Sequence, residues 1–136
     1  MSLKIQTDLK EVNWERLALV YALAYRGVQT AERIERVFVR SYATRLALWD
    51  GEIVGAVYAF SDGELDASIH GLCVHPDFQG RGIARALMES LLTEFGSQMA
   101  LLLTAEPAHH PIYRKFGFRP LKTAMAKNFP PDDMED

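Results

Sequence analysis

Residues 79–84 read QGRGIA, and they place Gly80 and Gly82 on either side of Arg81, just ahead of an apolar run at helical spacing. The chemistry this offers is anion binding. The first N–H groups of a helix lack intrahelical acceptors and together carry roughly half a positive charge. Glycines let the backbone come close to a guest. Successive N–H groups in such a turn form a concavity suited to phosphate or pyrophosphate. Arg81 and Arg85 add full charges nearby. Glycines at this spacing also make plain tight turns, so the pair alone does not name a ligand. Two familiar phosphate loops fail on residue type. A Walker loop ends in Gly-Lys-Ser/Thr, where this chain has Ala84 and Arg85. A dinucleotide fingerprint needs a third glycine, and the residue there is Arg85.

Upstream, SIHGLCVH (residues 68–75) alternates like a strand and carries His70 and Cys73. A histidine titrates near pH 6.5, which suits it to collecting a proton at neutral pH. Strict alternation puts His70 on one strand face with Leu72 and Val74, and Cys73 on the other. No base is evident beside Cys73, which reads as a small buried filler rather than a nucleophile. His75, before Pro76, reads as a turn residue. Asp62, Glu64 and Asp66 are acids that could steer a cation, although turn carboxylates are more often simply solvated.

The elements that must position these residues follow from pattern. Residues 3–7 suit a short strand. Asn13 can cap a helix carrying Trp14, Leu17, Val20, Tyr21, Ala24 and Tyr25, which Gly27 ends. Thr30 can cap a second, with Ile34, Val37 and Phe38 on one side. Asp50-Gly51 and Asp62-Gly63 are hairpin signals. They divide the next stretch into strands at 45–49, 53–60 and about 67–75. A helix is expected over 82–95, a buried strand over 99–104, and a short helix over 108–115 stopped by Gly117. Residues 117–129 read as one or two last strands. The strand–helix–strand order around QGRGIA makes a βαβ unit within an otherwise antiparallel sheet. The fold class is therefore α/β (α+β): a mixed, mostly antiparallel sheet of about six or seven strands flanked by helices.

The remaining properties are exclusions. The chain has 136 residues and is read as one domain spanning 1–136. Its net charge of -3 implies no general attraction to nucleic acid or anionic membrane. A single cysteine allows no internal disulfide, and no His/Cys spacing resembles a metal site. No apolar run approaches the ~18 residues of a membrane span. A soluble cytoplasmic protein with no metal is the expectation.

Two signatures carry a family resemblance. CVHPDFQGRGIARALMESLL resembles the acyl-CoA motif of the GNAT superfamily of N-acetyltransferases, with Gln79, Gly82 and Ala84 at its defining positions. IYRKFGF, with Ile112, Tyr113, Gly117 and Phe118, resembles the family's second motif. The run from Trp49 through the elbow is also similar to the plastid serotonin N-acetyltransferase branch and to small bacterial relatives.

The resemblance implies a GNAT fold with splayed central strands and acetyl-CoA as co-substrate. The backbone of Gln79, Gly80, Arg81, Gly82, Ile83 and Ala84, with Arg85 beside it, would hold the pyrophosphate. Leu72, Cys73 and Val74 would pair with the pantetheine arm like an extra strand. Tyr113 would protonate the departing thiolate, because a phenol near pKa ~10 can supply that proton. His70 would act as base; the animal arylalkylamine enzymes use a histidine there, with a second where this chain has Ser68. The acceptor would be a small-molecule or peptide amine, selected by residues 14–41 with Tyr21, Tyr25, Phe38 and Tyr42. A non-catalytic acyl-CoA sensor is the alternative. Relatives also suggest a homodimer, here through a strand in AMAKNF (residues 124–129).

Overall fold

The computed structural model describes residues 2–25 and 29–136. The chain forms two compact units, one running to Thr104 and one spanning Ala105–Asp136. The first contains β1 (Leu3–Gln6), α1 (Trp14–Ala24), α2 (Ala31–Arg40), β2 (Ala43–Trp49), β3 (Glu52–Ser61), β4 (Asp66–Val74), α3 (Ile83–Leu92) and β5 (Ala100–Leu103). The second contains α4 (His110–Arg114).

The five strands form one sheet in chain order. β1 to β4 pair antiparallel and β5 pairs parallel with β4, the arrangement a βαβ crossover through α3 requires. Local chemistry explains most boundaries. The Asn13 side chain accepts from the Arg16 N–H and Thr30 from the Arg33 N–H, so both helices start where a capping side chain stands. Asp50 and Gly51 both take positive φ, as a two-residue hairpin of the inward-twisting type demands. Asp62 Oδ1 accepts from the N–H groups of Glu64 and Leu65, both at 2.8 Å, and folds the next turn around itself. The expected stop at Gly27 lies outside the described residues.

α1 and α2 cover one face of the sheet. Leu17, Val20, Tyr21, Ile34 and Phe38 pack there with Leu46, Ile53, Ala56 and Cys73. α3 covers the other, its Ile83 and Leu87 side chains closing on Gly55 of β3. Arg45 of β2 is only 5% exposed and faces the end of α3. Its Nε donates to Ser90 Oγ at 2.7 Å and its Nη2 to Ser90 O at 3.2 Å. Glu94 lies 3.5 Å from Nη2. The guanidinium thus satisfies a carbonyl at the helix C-terminus, where a cation is favoured.

The strand count is five, below the six or seven expected. Among the described residues no strand forms after Leu103, so residues 117–129 are not strands. Pro120 has no N–H to offer a ladder. Leu121 and Met125 are both exposed, Met125 almost fully, so no alternating face is buried there. AMAKNF therefore supplies no strand edge for the expected homodimer. In the second unit, Gly117 takes φ +90 and ends α4 as its position suggested. The Phe118 N–H returns to Tyr113 O at 3.2 Å.

Candidate active site

The site begins at a defect in β4. Ala56 of β3 pairs with Cys73, and Tyr58 pairs with His70. Val57 alone therefore faces two residues, Gly71 and Leu72, which is a β-bulge. Gly71 sits at φ +63. A Cβ there would come 2.5 Å from Tyr58 Cε1 and 2.9 Å from the Tyr21 hydroxyl, so only glycine fits. α1 grips the bulge: the Tyr21 hydroxyl donates to Gly71 O at 2.7 Å and the Tyr25 hydroxyl donates to Leu72 O.

The extra residue reverses the face assignment that alternation predicts. Cross-strand partners share a face. Tyr58 and Ala56 lie on the α1/α2 face, so His70 and Cys73 do as well. Val74 pairs with Gly55, whose face is turned to α3. His70 and Val74 therefore do not share a face, whereas His70 and Cys73 do. A period of two cannot survive one inserted residue.

His70 is held from several directions. Its ring stacks on Tyr58, with centroids 5.6 Å apart and planes 15° from parallel, and meets Phe60 edge-on. Its Nε2 lies 2.8 Å from Ser68 Oγ. Burial lowers its pKa below the usual 6.5, so the ring is neutral and able to accept a proton at pH 7. Ser68, where a second histidine would make a relay, instead supplies a hydroxyl partner. Sequence reasoning missed that contact, although the i, i+2 spacing on one strand face could have shown it. Cys73 is buried, and that burial pushes its thiol up to about 12, outweighing the opposing effect of the Tyr21 hydroxyl and the Ala56 backbone. A thiol in that state is inert.

From His70 onward, through the bulge, β4 has a free edge. Its pairing with β5 runs from Asp66↔Ala100 to Ile69↔Leu103 and stops. β4 continues to Val74, and among the described residues no strand covers that edge at 70–74. β5 ends at Leu103 while β4 runs on, which leaves Leu72, Cys73 and Val74 without a strand on that side.

The free edge leads through a 3-10 turn, Pro76–Phe78, into the elbow. Gly80 takes φ +77 and Gly82 φ +78, and neither would clash with anything if it carried a Cβ. Conformation, not crowding, selects glycine at both. Gly82 occupies the N-cap of α3 and offers no side-chain cap, unlike Asn13 and Thr30 at α1 and α2. The N–H groups of Ile83, Ala84 and Arg85 are left to a ligand or to water. The expected cations are partly committed elsewhere. Arg81 lies over the rings of Trp49 and Phe78, 5.0 and 4.9 Å from their centroids. Arg85 pairs with Glu89 at 2.7 Å. The backbone N–H groups, more than these side chains, are left uncommitted at the elbow.

A cavity of about 420 Å³ opens between α1, α2 and the bulge, within the range of small-ligand pockets. Tyr21, Tyr25 and Tyr58 give it aromatic walls, and Ile34 and Val37 add apolar surface. Gly71 lies at its sheet end, while Gln29 and Arg33 come from the start of α2. Tyr21 and Tyr25, singled out for acceptor choice, do line it. Phe38 is instead core, and Tyr42 stacks on Phe95 away from this wall.

In the second unit Tyr113 is half-buried, its ring edge-on to Phe118 at 6.2 Å. Burial raises its pKa above 10, which keeps the phenol protonated. No hydrogen bond from its hydroxyl is made among the described residues.

An uncovered edge of β4, an uncapped helix start and an adjoining aromatic cavity thus lie within the first unit. Residues 20–129 match the acetyltransferase (GNAT) domain. The chain belongs to the GNAT acetyltransferase family. It is similar to an uncharacterized N-acetyltransferase, ycf52, of Porphyra purpurea, 37% identical over 68 residues, which are 48% of this chain and 39% of that one. The chain thus spans about two fifths of that relative's length. It is also similar to the acetyltransferase plu1384 of Photorhabdus laumondii, 35% identical over 114 residues, 79% of this chain and 76% of that one. Among solved structures, an acetyltransferase from Deinococcus radiodurans R1 superposes with a TM-score of 0.82 at 28% identity, over 93% of this chain and 88% of that one. The mixed sheet flanked by helices is the fold of these relatives.

Proposed function

We propose that this chain transfers the acetyl group of acetyl-CoA to a primary amine, by direct attack of the amine on the thioester in a ternary complex. The observation that carries the reading is the β4 edge, unpaired after Ile69 and leading directly into the uncapped start of α3. A pantetheine arm is a chain of amides that can add to such an edge as a strand does. Leu72, Cys73 and Val74 present that edge. The N–H groups around residues 79–85 would take the pyrophosphate. The co-substrate supplies an activated acyl carbon; the protein must orient the amine and move its protons.

An amine of pKa near ~10 arrives protonated, and about one molecule in a thousand is free base at pH 7. His70 is the base in this reading. It is neutral, borders the cavity through Tyr58, and is oriented by Ser68. Tyr113 is assigned as proton donor to the leaving thiolate on the strength of the IYRKFGF motif. Its raised pKa supports a role as acid.

The alternative is an acyl-CoA sensor without turnover, and the His70–Ser68 pair argues for the enzyme. The test is release of free thiol from acetyl-CoA on adding each member of an amine panel, beside calorimetric titration with CoA. Amine-dependent release supports the reading. CoA binding with no release for any amine would convert the assignment to a sensor.

A further inference from the structure

The charge balance of the cavity narrows the acceptor. Among the described residues its walls hold one ionised side chain, Arg33, and no carboxylate. Arg16 pairs with Glu52, Arg45 with Glu94 and Arg85 with Glu89. Among the described residues no carboxylate pairs with Arg33. Its Nη1 donates to Gln29 Oε1 at 3.4 Å, a neutral partner on the same wall. The fork of a guanidinium matches a planar oxyanion, and such bonds are among the stronger ones a protein makes.

The two ends of the cavity differ. Gly71 and Tyr58 mark the end beside His70 and the open β4 edge, while Arg33 and Gln29 come from the first turn of α2 and the residues before it. An ammonium reaching the first end faces the Arg33 guanidinium across an aromatic middle. A polyamine or a lysine-rich peptide would bring further cations against that guanidinium. A substrate carrying its own anion would cancel it.

We propose that the acceptor is a small aromatic or apolar amine bearing an acidic group remote from its nitrogen, with the acid seated on Arg33 and the nitrogen at the β4 bulge. The orientation of the amine rests on the acetyl-transfer reading; the acid seat does not. Carboxylate and phosphate share the required chemistry.

The test uses binding, which needs no turnover. 4-(2-Aminoethyl)benzoate and 2-phenylethylamine differ only by a carboxylate, and each is titrated into full-length protein saturated with coenzyme A. The carboxylated amine should bind at least about tenfold tighter, and added salt should shrink the gap. In Arg33→Gln the gap should close to about twofold, with 2-phenylethylamine binding no more weakly than to the unaltered protein. Arg33 is exposed and only its backbone N–H serves the Thr30 cap, so the variant keeps the helix. Tyramine phosphate, run alongside, shows which acid fits better, and a preference for either upholds the seat. Equal affinities in the unaltered protein, or a gap that survives Arg33→Gln, would overturn it. Thiol release in the same samples reports separately: acid-dependent binding without turnover fells the transfer reading and leaves the acid seat standing.

Discussion

Gly71→Ala should damage this protein in two separable ways. The backbone at φ +63 is in the left-handed region, where an alanine costs roughly 1–2 kcal/mol. The new Cβ would also stand 2.5 Å from Tyr58 Cε1, well inside the ~3.5–4.0 Å at which carbons rest. Overpacking of this kind adds roughly 1–3 kcal/mol. The sum is about 2–5 kcal/mol. Gly51→Ala is the control. It has φ +84 in a hairpin turn, and its Cβ would meet nothing within 4 Å, so only the conformational part of about 1–2 kcal/mol applies. Urea unfolding read by tryptophan fluorescence compares the two, because Trp14 and Trp49 both lie in the first unit. A second readout tests the site. Tyr58 must move to admit the methyl group, and His70 stacks on Tyr58, so amine turnover should fall even in protein that remains folded. Equal losses of stability in the two variants would refute the steric account of the bulge, and normal turnover in folded Gly71→Ala would refute its link to His70.

The remaining predictions concern protons. His70 accepts the amine proton only when neutral, so kcat/KM should fall as pH drops through a pKa below 6.5, the direction in which burial shifts it. His70→Gln should remove that acid limb and cost about a hundredfold or more in rate, and an unchanged pH profile would reject the base role. Tyr113→Phe should bind acetyl-CoA normally in calorimetry yet lose most turnover; full turnover would exclude it as the acid. Cys73, with its thiol near 12, has about one thiolate in ten thousand at pH 8, so iodoacetamide should label folded protein ~1,000-fold more slowly than unfolded protein. Rapid labelling of the native state would show that the bulge does not seal this face.

Short-range chemistry was legible from the residues themselves. Asn13, Thr30, Asp50-Gly51 and Gly117 act through groups a few positions away, and each does in the structure what its type and place foretold. The elbow belongs with them, because an uncapped helix start preceded by two left-handed glycines is a local property of QGRGIA. The last strands went wrong for the complementary reason. A strand exists only where a partner edge accepts it, and residues 117–129 carry no mark of whether such an edge is present.

The order of elements as far as β5 and the glycine-rich, uncapped start of α3 were thus determined by sequence alone, since backbone preference and capping act over a handful of residues. Tertiary structure decided the rest of the site. The bulge depends on β3 offering one residue to two, and on a tyrosine hydroxyl fifty positions away that fills the space a Cβ would need. That one inserted residue put His70 and Cys73 on the same face, against the alternation of their own strand. The cavity in which Arg33 lacks an acid exists only once two helices and a strand close around it. Side-chain surroundings are a sum over distant segments, and a linear chain does not record which of them will meet.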